Sequence, residues 1–147
     1  MQFKTIWNNR NILTIEGDKT RLGFQNNLFD NAKSIKRIIC PAENAFKVYK
    51  KLFNYIINLN IDKDTLILIS LGPTATILTY DIIKYGLKNQ VIDFGHFDIQ
   101  YEYYLRNAKK RIRLSNKYVN EARGGRKNIN PMNDRKFLSQ IIHRIQI

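Results

Sequence analysis

The stretch Thr65-Leu66-Ile67-Leu68-Ile69-Ser70-Leu71 constrains the fold of this chain more than any other. It is apolar at successive positions, so a strand formed there must be covered on both faces, as a central strand of a parallel sheet is. Parallel neighbours need a crossover between them, usually a helix, and the flanking sequence supplies two. Ala45, Val48, Tyr49, Leu52, Phe53, Ile56 and Leu59 recur three and four positions apart, with Lys47, Lys50, Lys51, Asn54 and Asn58 on the other face. This spacing predicts an amphipathic helix of about four turns. A second helix is predicted from Pro73, suited to a first helical position, to about Tyr85, with Gly86 as its stop.

Three more segments read as strands: Asn11-Ile12-Leu13-Thr14-Ile15, Ser34-Ile35-Lys36-Arg37-Ile38-Ile39-Cys40, and Gln90-Val91-Ile92-Asp93-Phe94. Weaker helical patterns cover 20–32 and 98–108. Strand alternating with helix implies right-handed βαβ units. The expectation is an α/β, Rossmann-like three-layer domain with a mostly parallel sheet of about four to five strands. Its 147 residues fit one domain, 1–147. Beyond Ala108 the pattern fades: 112–119 suits a short strand, 121–134, with Gly124-Gly125 and Pro131, reads as loop, and 137–147 as a terminal helix. The 122–147 region is thus expected to be loop plus terminal helix.

The formal net charge is +13, from 25 Lys/Arg against 12 Asp/Glu. From Leu105 onward the only acidic residues are Glu121 and Asp134 among 12 Lys/Arg. Such a segment attracts phosphorylated ligands, nucleic acid or acidic lipid, or serves as a solvated basic surface. Without any recognised nucleic-acid motif, a basic nucleic-acid-binding module is the rival reading rather than the preferred one. The single cysteine, Cys40, excludes an internal disulfide, and with one Cys and two His no zinc-ligand spacing exists. Met1 to Asn9 lacks the apolar core of a signal peptide, and no apolar run is long enough to span a bilayer. Cytoplasmic residence is the default expectation.

Ligands of open α/β sheets bind outside the carboxyl ends of the strands, which directs attention to four loops: 16–18, 41–44, 72–74 and 95–100. In the third, Gly72 allows close approach, and the first turn of the helix after Pro73 presents free amides with the positive end of its dipole. Thr74 or Thr76 can add a hydroxyl, giving a phosphate site; an ordinary strand-to-helix turn shares this chemistry. In the fourth, Asp98 and Glu102 lie one turn apart on a helix, with His96 beside them. They can bind a divalent ion or act as acid and base; alternatively, Asp98 caps the helix. Arg21 can meet a pyrophosphate bidentately or pair with Glu16 or Asp18. Tyr101, Tyr103 and Tyr104 suit stacking or half-buried packing, and Cys40 suits a buried strand.

Taken together, these stretches resemble the GT-D glycosyltransferase family, first described as a domain of unknown function. The resemblance runs through Glu16-Gly17, Thr20-Arg21-Leu22-Gly23, Asn26, Leu28-Phe29 and the strand Ser34 to Cys40 with Pro41. It continues through Asn44-Ala45-Phe46, Ser70-Leu71-Gly72-Pro73-Thr74-Ala75-Thr76, Asp93, Gly95-His96, Asp98, Tyr101-Glu102 and Lys117-Tyr118-Val119-Asn120-Glu121, in register over roughly 7–125.

The resemblance implies a Rossmann-like fold, a UDP-sugar donor and a divalent cation, Mn2+ or Mg2+. Founding members add glucose to glycans on serine-rich bacterial surface adhesins, so a glycan or glycoprotein acceptor is implied. The family's Asp-x-Glu motif falls on Asp98-Ile99-Gln100. Asp98 is then the implied metal ligand, and Gln100, an uncharged amide, is expected to weaken the cation. A glycine and a carboxylate of the family's pattern are also replaced within Gly23-Phe24-Gln25-Asn26-Asn27-Leu28-Phe29. Family members are about twice as long, with an N-terminal Arg-x-Gly-Asp-Gly-Glu-like stretch that has no counterpart here. A truncated copy, a piece of a split enzyme with a separate N-terminal chain, or an inactive remnant are the corresponding expectations.

Overall fold

A computed structural model describes residues 1–147. Five strands form one sheet: β1 (Asn11–Gly17), β2 (Ser34–Cys40), β3 (Leu66–Ser70), β4 (Val91–Asp93) and β5 (Ile141–Arg144). Their order is β4-β3-β1-β2-β5, and every neighbouring pair is parallel. The helices are α1 (Tyr49–Asn58), led by a 3-10 turn at Ala45–Val48, then α2 (Pro73–Tyr85), α3 (Phe97–Leu105) and α4 (Arg135–Gln140).

The twofold alternation of a strand splits the core into two layers. Leu13 and Ile15 of β1, Ile38 and Cys40 of β2, and Ile67 and Ile69 of β3 face one side, where Val48, Leu52 and Ile56 meet Ala75, Leu78 and Ile82. Ile12, Leu66 and Leu68 face the other and meet Trp7, Leu22, Leu28, Phe29, Phe94 and Tyr101. This explains the unbroken apolar run of β3: all five residues are buried, some under α1 and α2, the rest under α3 and the 18–33 connection.

Three segments differ from expectation. The 20–32 segment is a series of turns rather than a helix; Arg21, Gly23 and Gln25 take positive φ of 53°, 69° and 58°, which a right-handed helix cannot contain. It still buries Leu22, Leu28 and Phe29, because burial there needs only apolar side chains at the right places. The 112–119 strand is reduced to an isolated bridge between Leu114 and Lys117. The C-terminal helix stops at Gln140, and the chain then adds β5 against β2, where Ile145 enters the core. The helical pattern expected through Ile147 thus gives way to sheet pairing.

The connection after β1 leads to β2 on one side, while the connection after β3 leads through α2 to β4 on the other. The C-terminal ends of β1 and β3 therefore flank a topological switch point, where open α/β sheets form a crevice.

Candidate functional site

That crevice is a cavity of about 300 Å3. Its floor is the strand ends Gly17 and Ser70, with Pro41 to Ala45 on one side and Leu71-Gly72-Pro73 on the other. Gly95, His96, Asp98 and Ile99 supply a third wall. The fourth comes from the connection between α3 and α4, here termed the strap, through Tyr118 to Glu121 and Arg126.

Backbone geometry shapes these walls. Gly72 has φ 55° and ψ −143°, a combination essentially restricted to glycine, and a β-carbon there would point into open space. This lets the chain leave β3 and enter α2 abruptly, with the first turn of α2 facing the cavity through Gly72 and Pro73. Ser70 donates its hydroxyl to the Gly95 carbonyl at 2.8 Å, tying the end of β3 to the loop that begins α3. Thr76 donates to Asp93 at 2.7 Å, tying α2 to the end of β4.

The sequence-expected residues divide into two groups. Gly72, His96 and Asp98 line one cavity, which brings the start of α2 beside the loop that begins α3. Thr74 is buried in the first turn of α2, and Thr76 is engaged with Asp93; neither lines the cavity. Arg21 is buried and donates to the Asn116 carbonyl at 2.9 Å. It grips the strap from beneath rather than reaching the cavity, and its Nε has no protein partner. Glu16 and Arg37 form a buried ion pair at 3.1 Å, and Arg37 also donates to the Leu22 carbonyl at 2.9 Å.

Asp98 and Glu102 belong to a buried polar cluster. Asp98 Oδ1 accepts from the Gly23 amide and from Asn26, both at 3.0 Å, and Oδ2 accepts from Lys117 at 2.7 Å. Glu102 Oε1 accepts from Asn26 at 2.8 Å and faces Lys117 at 3.1 Å; Oε2 accepts from Arg106 at 3.2 Å. Burial alone would push the Glu102 carboxyl up, but Lys117 and the hydrogen bonds from Asn26, Lys117 and Arg106 outweigh it and hold it below its ordinary value. Gln100 is exposed on α3, whereas Asp98 is 1% exposed. Residues two apart on a helix point in nearly opposite directions, so the amide at 100 and the carboxylate at 98 do not address one ion.

The residues present do not fit a divalent cation at Asp98. Both of its oxygens already accept protein donors, one of them a full ammonium charge. No group of three His, Cys, Asp or Glu side chains is arranged to hold a metal.

The structure also gives chemistry to residues that the sequence marked only by resemblance. His96 Nδ1 lies 2.9 Å from Glu121 Oε1, and Glu121 pairs on its other oxygen with Arg111 at 3.4 Å. Since a carboxylate only accepts, Nδ1 donates in this contact, which in the neutral ring leaves Nε2 without a proton. Tyr118 donates to Glu43 at 3.1 Å across the cavity mouth, and Arg126 stands by both. The shared segment 117–121 was the one available signal for these partners. Cys40 is buried, and burial with the nearby Glu16 pushes its thiol up to about 12, so it is no nucleophile at neutral pH.

A family model described as the glycosyltransferase GT-D fold matches residues 1–122. The chain belongs to the GT-D glycosyltransferase family. Among curated relatives, a glycosyltransferase named GlyD from Streptococcus pneumoniae serotype 4 is 40% identical over 147 residues, covering 98% of this chain and 17% of the relative. A probable glycosyl transferase, Gly, from Streptococcus gordonii is 37% identical over 141 residues, covering 96% of this chain and 20% of the relative. Among solved structures, a glycosyltransferase of the DUF1792 type from Streptococcus sanguinis superposes with a TM-score of 0.88 at 35% identity. The match covers 98% of this GT-D chain and 52% of that one. A second structure, of domain of unknown function 1792 with a distinct glycosyltransferase fold, gives 0.86 at 36% identity over 97% of this chain and 50% of that chain. The chain thus spans about half of its solved relatives and a fifth or less of the curated ones. No helix is long and apolar enough to cross a membrane.

Proposed function

We propose that the switch-point cavity binds the diphosphate of a UDP-sugar and supports transfer of the sugar to a hydroxyl of a glycan or glycoprotein. The observation that carries this reading is the convergence, in a GT-D chain, of the start of α2 with a carboxylate-oriented histidine around one cavity. The positive end of the α2 dipole behind Gly72 and Pro73 suits the diphosphate, and Arg126 at the rim adds positive charge. In the transfer, the acceptor oxygen bonds to the anomeric carbon as the carbon–oxygen bond to UDP breaks. The acceptor's proton passes to His96 Nε2, while Glu121 holds the ring and stabilises the cation formed. Asp98 and Glu102 serve here as the scaffold that sets the strap against α3.

Because the solved relatives are about twice as long, we take the complete catalytic unit to include a further segment or a separate chain that supplies the remainder of the donor site. UDP binding is the part of the function assigned to the present chain. Calorimetric titration of UDP is expected to give saturable binding that is lost in Gly72→Val and retained in His96→Ala. Transfer, assayed as UDP release with the complementary half supplied in trans, is expected to fail in His96→Ala. Absence of saturable UDP binding to the wild-type chain at millimolar concentration overturns the proposal.

A further inference from the structure

Lys117 lies 3% exposed between Asp98, which the resemblance would assign to a metal, and Glu102. We propose that its ammonium is the resident cation of this site, so that the chain takes no divalent ion at Asp98 and binds its nucleotide without one. The second half of that statement rests on the UDP reading above; the first does not.

Three observations support the assignment. First, the contacts leave no room for a metal. A divalent ion sits about 2.0–2.6 Å from a carboxylate oxygen, and the ammonium is already 2.7 Å from Asp98 Oδ2 and 3.1 Å from Glu102 Oε1. A second cation on either oxygen would face weakly screened repulsion in a buried setting. Second, the charge is already balanced: Asp98 and Glu102 meet Lys117 and Arg106, and Asn26 and the Gly23 amide donate to the same carboxylates. Third, Gln100 lies on the solvent side of α3, away from the cluster.

The same contact makes Lys117 a positioning residue. It immediately precedes Tyr118, Val119, Asn120 and Glu121, all of which line the cavity. Arg21 holds the Asn116 carbonyl from below, and the Tyr118 amide donates to the Lys19 carbonyl at 2.8 Å. An ammonium anchored to α3 between these two contacts fixes where Glu121 meets His96.

The test is Mn2+ binding without nucleotide, read by electron paramagnetic resonance of free Mn2+ and by thermal shift. Wild type is expected to show no site tighter than millimolar, and K117M, which empties the space between the two carboxylates, is expected to gain one with at least tenfold higher affinity. K117M is also expected to be stabilised by Mn2+ and to lose the gain in K117M/D98N. A sub-millimolar wild-type site abolished by D98N overturns the proposal, as does a folded K117M that gains no Mn2+ binding. Should K117M not fold, the wild-type titration with D98N still decides. If the metal result holds and UDP does not bind, the UDP reading fails while the assignment of Lys117 stands. If UDP binds only with Mn2+, the metal-free half of the proposal fails.

Discussion

Arg37→Met is the sharpest single perturbation of this fold. Glu16 is 0% exposed and Arg37 2%, and Glu16 sits on β1 diagonally from Arg37 on β2, since Thr14 is the residue registered opposite Arg37. Methionine keeps most of the stem but leaves Glu16 without its cation, frees the Leu22 carbonyl and removes the guanidinium stacked 4.1 Å above Phe137. Removing one partner of a buried pair costs about 3–5 kcal/mol. Unfolding entropy is ~2.1 cal/mol/K per residue, so for 147 residues the loss corresponds to a fall in Tm of about 10–16 °C. The pH dependence has a definite sign. Burial already raises the Glu16 carboxyl above 4.5, only partly opposed by Arg37, so the folded state binds the proton more tightly than the unfolded chain. Stability therefore falls as pH rises above 4.5 towards the folded-state value. Without Arg37 that value rises further, and the variant's deficit should be smaller at pH 5 than at pH 8. Urea denaturation at both pH values measures it, and E16Q in the R37M background should recover most of the loss. A deficit below about 1 kcal/mol, or one equal at the two pH values and unrelieved by E16Q, refutes this account of the pair.

The rest of the fold sets further expected outcomes. Glu102 carries the opposite pH sign: its folded-state value is lowered, so its contribution is present above 4.5 and is lost as pH falls through the folded-state value; E102Q should flatten the acid limb of a stability–pH curve. Gly125→Ala would set a β-carbon 2.1 Å from the Val119 carbonyl oxygen, and a backbone neighbour cannot yield like a side chain. A loss of about 1–3 kcal/mol is expected, concentrated in the strap and read as faster proteolysis near residues 119–125. Cys40 should resist thiol reagents at pH 8 in the folded protein and react at once in denaturant. Leu52→Ala, at a fully buried position of α1, should cost about 2–5 kcal/mol in denaturant unfolding.

The legible parts of the chain were those with a local period. The run at 65–71, the three- and four-residue spacing before Leu59, and Pro73 with Gly86 each specify an element through nearest neighbours, and β3, α1 and α2 appear there. The crevice could also be placed, because the rule that ligands meet parallel strands at their carboxyl ends depends only on the order of elements. The 20–32 segment has apolar residues near helical spacing, yet its left-handed residues and the burial of Leu22, Leu28 and Phe29 suit a turn-rich layer. β5 was hidden because a four-residue edge strand, exposed at three positions, has too little pattern to outweigh a helical reading.

Side-chain partners divide in the same way. Sequence alone fixed which residue types were available near the crevice: His96, Asp98, Glu102 and the amide-rich start of α2. Tertiary structure decided what each one does, because a buried charge takes whichever counter-charge the fold brings closest. Asp98 meets Lys117 from 19 residues away and Asn26 from 72, His96 meets Glu121 from 25, and Arg21 reaches Asn116 across 95. No local period encodes such distances; they arise only when the strap closes over the carboxyl edge of the sheet.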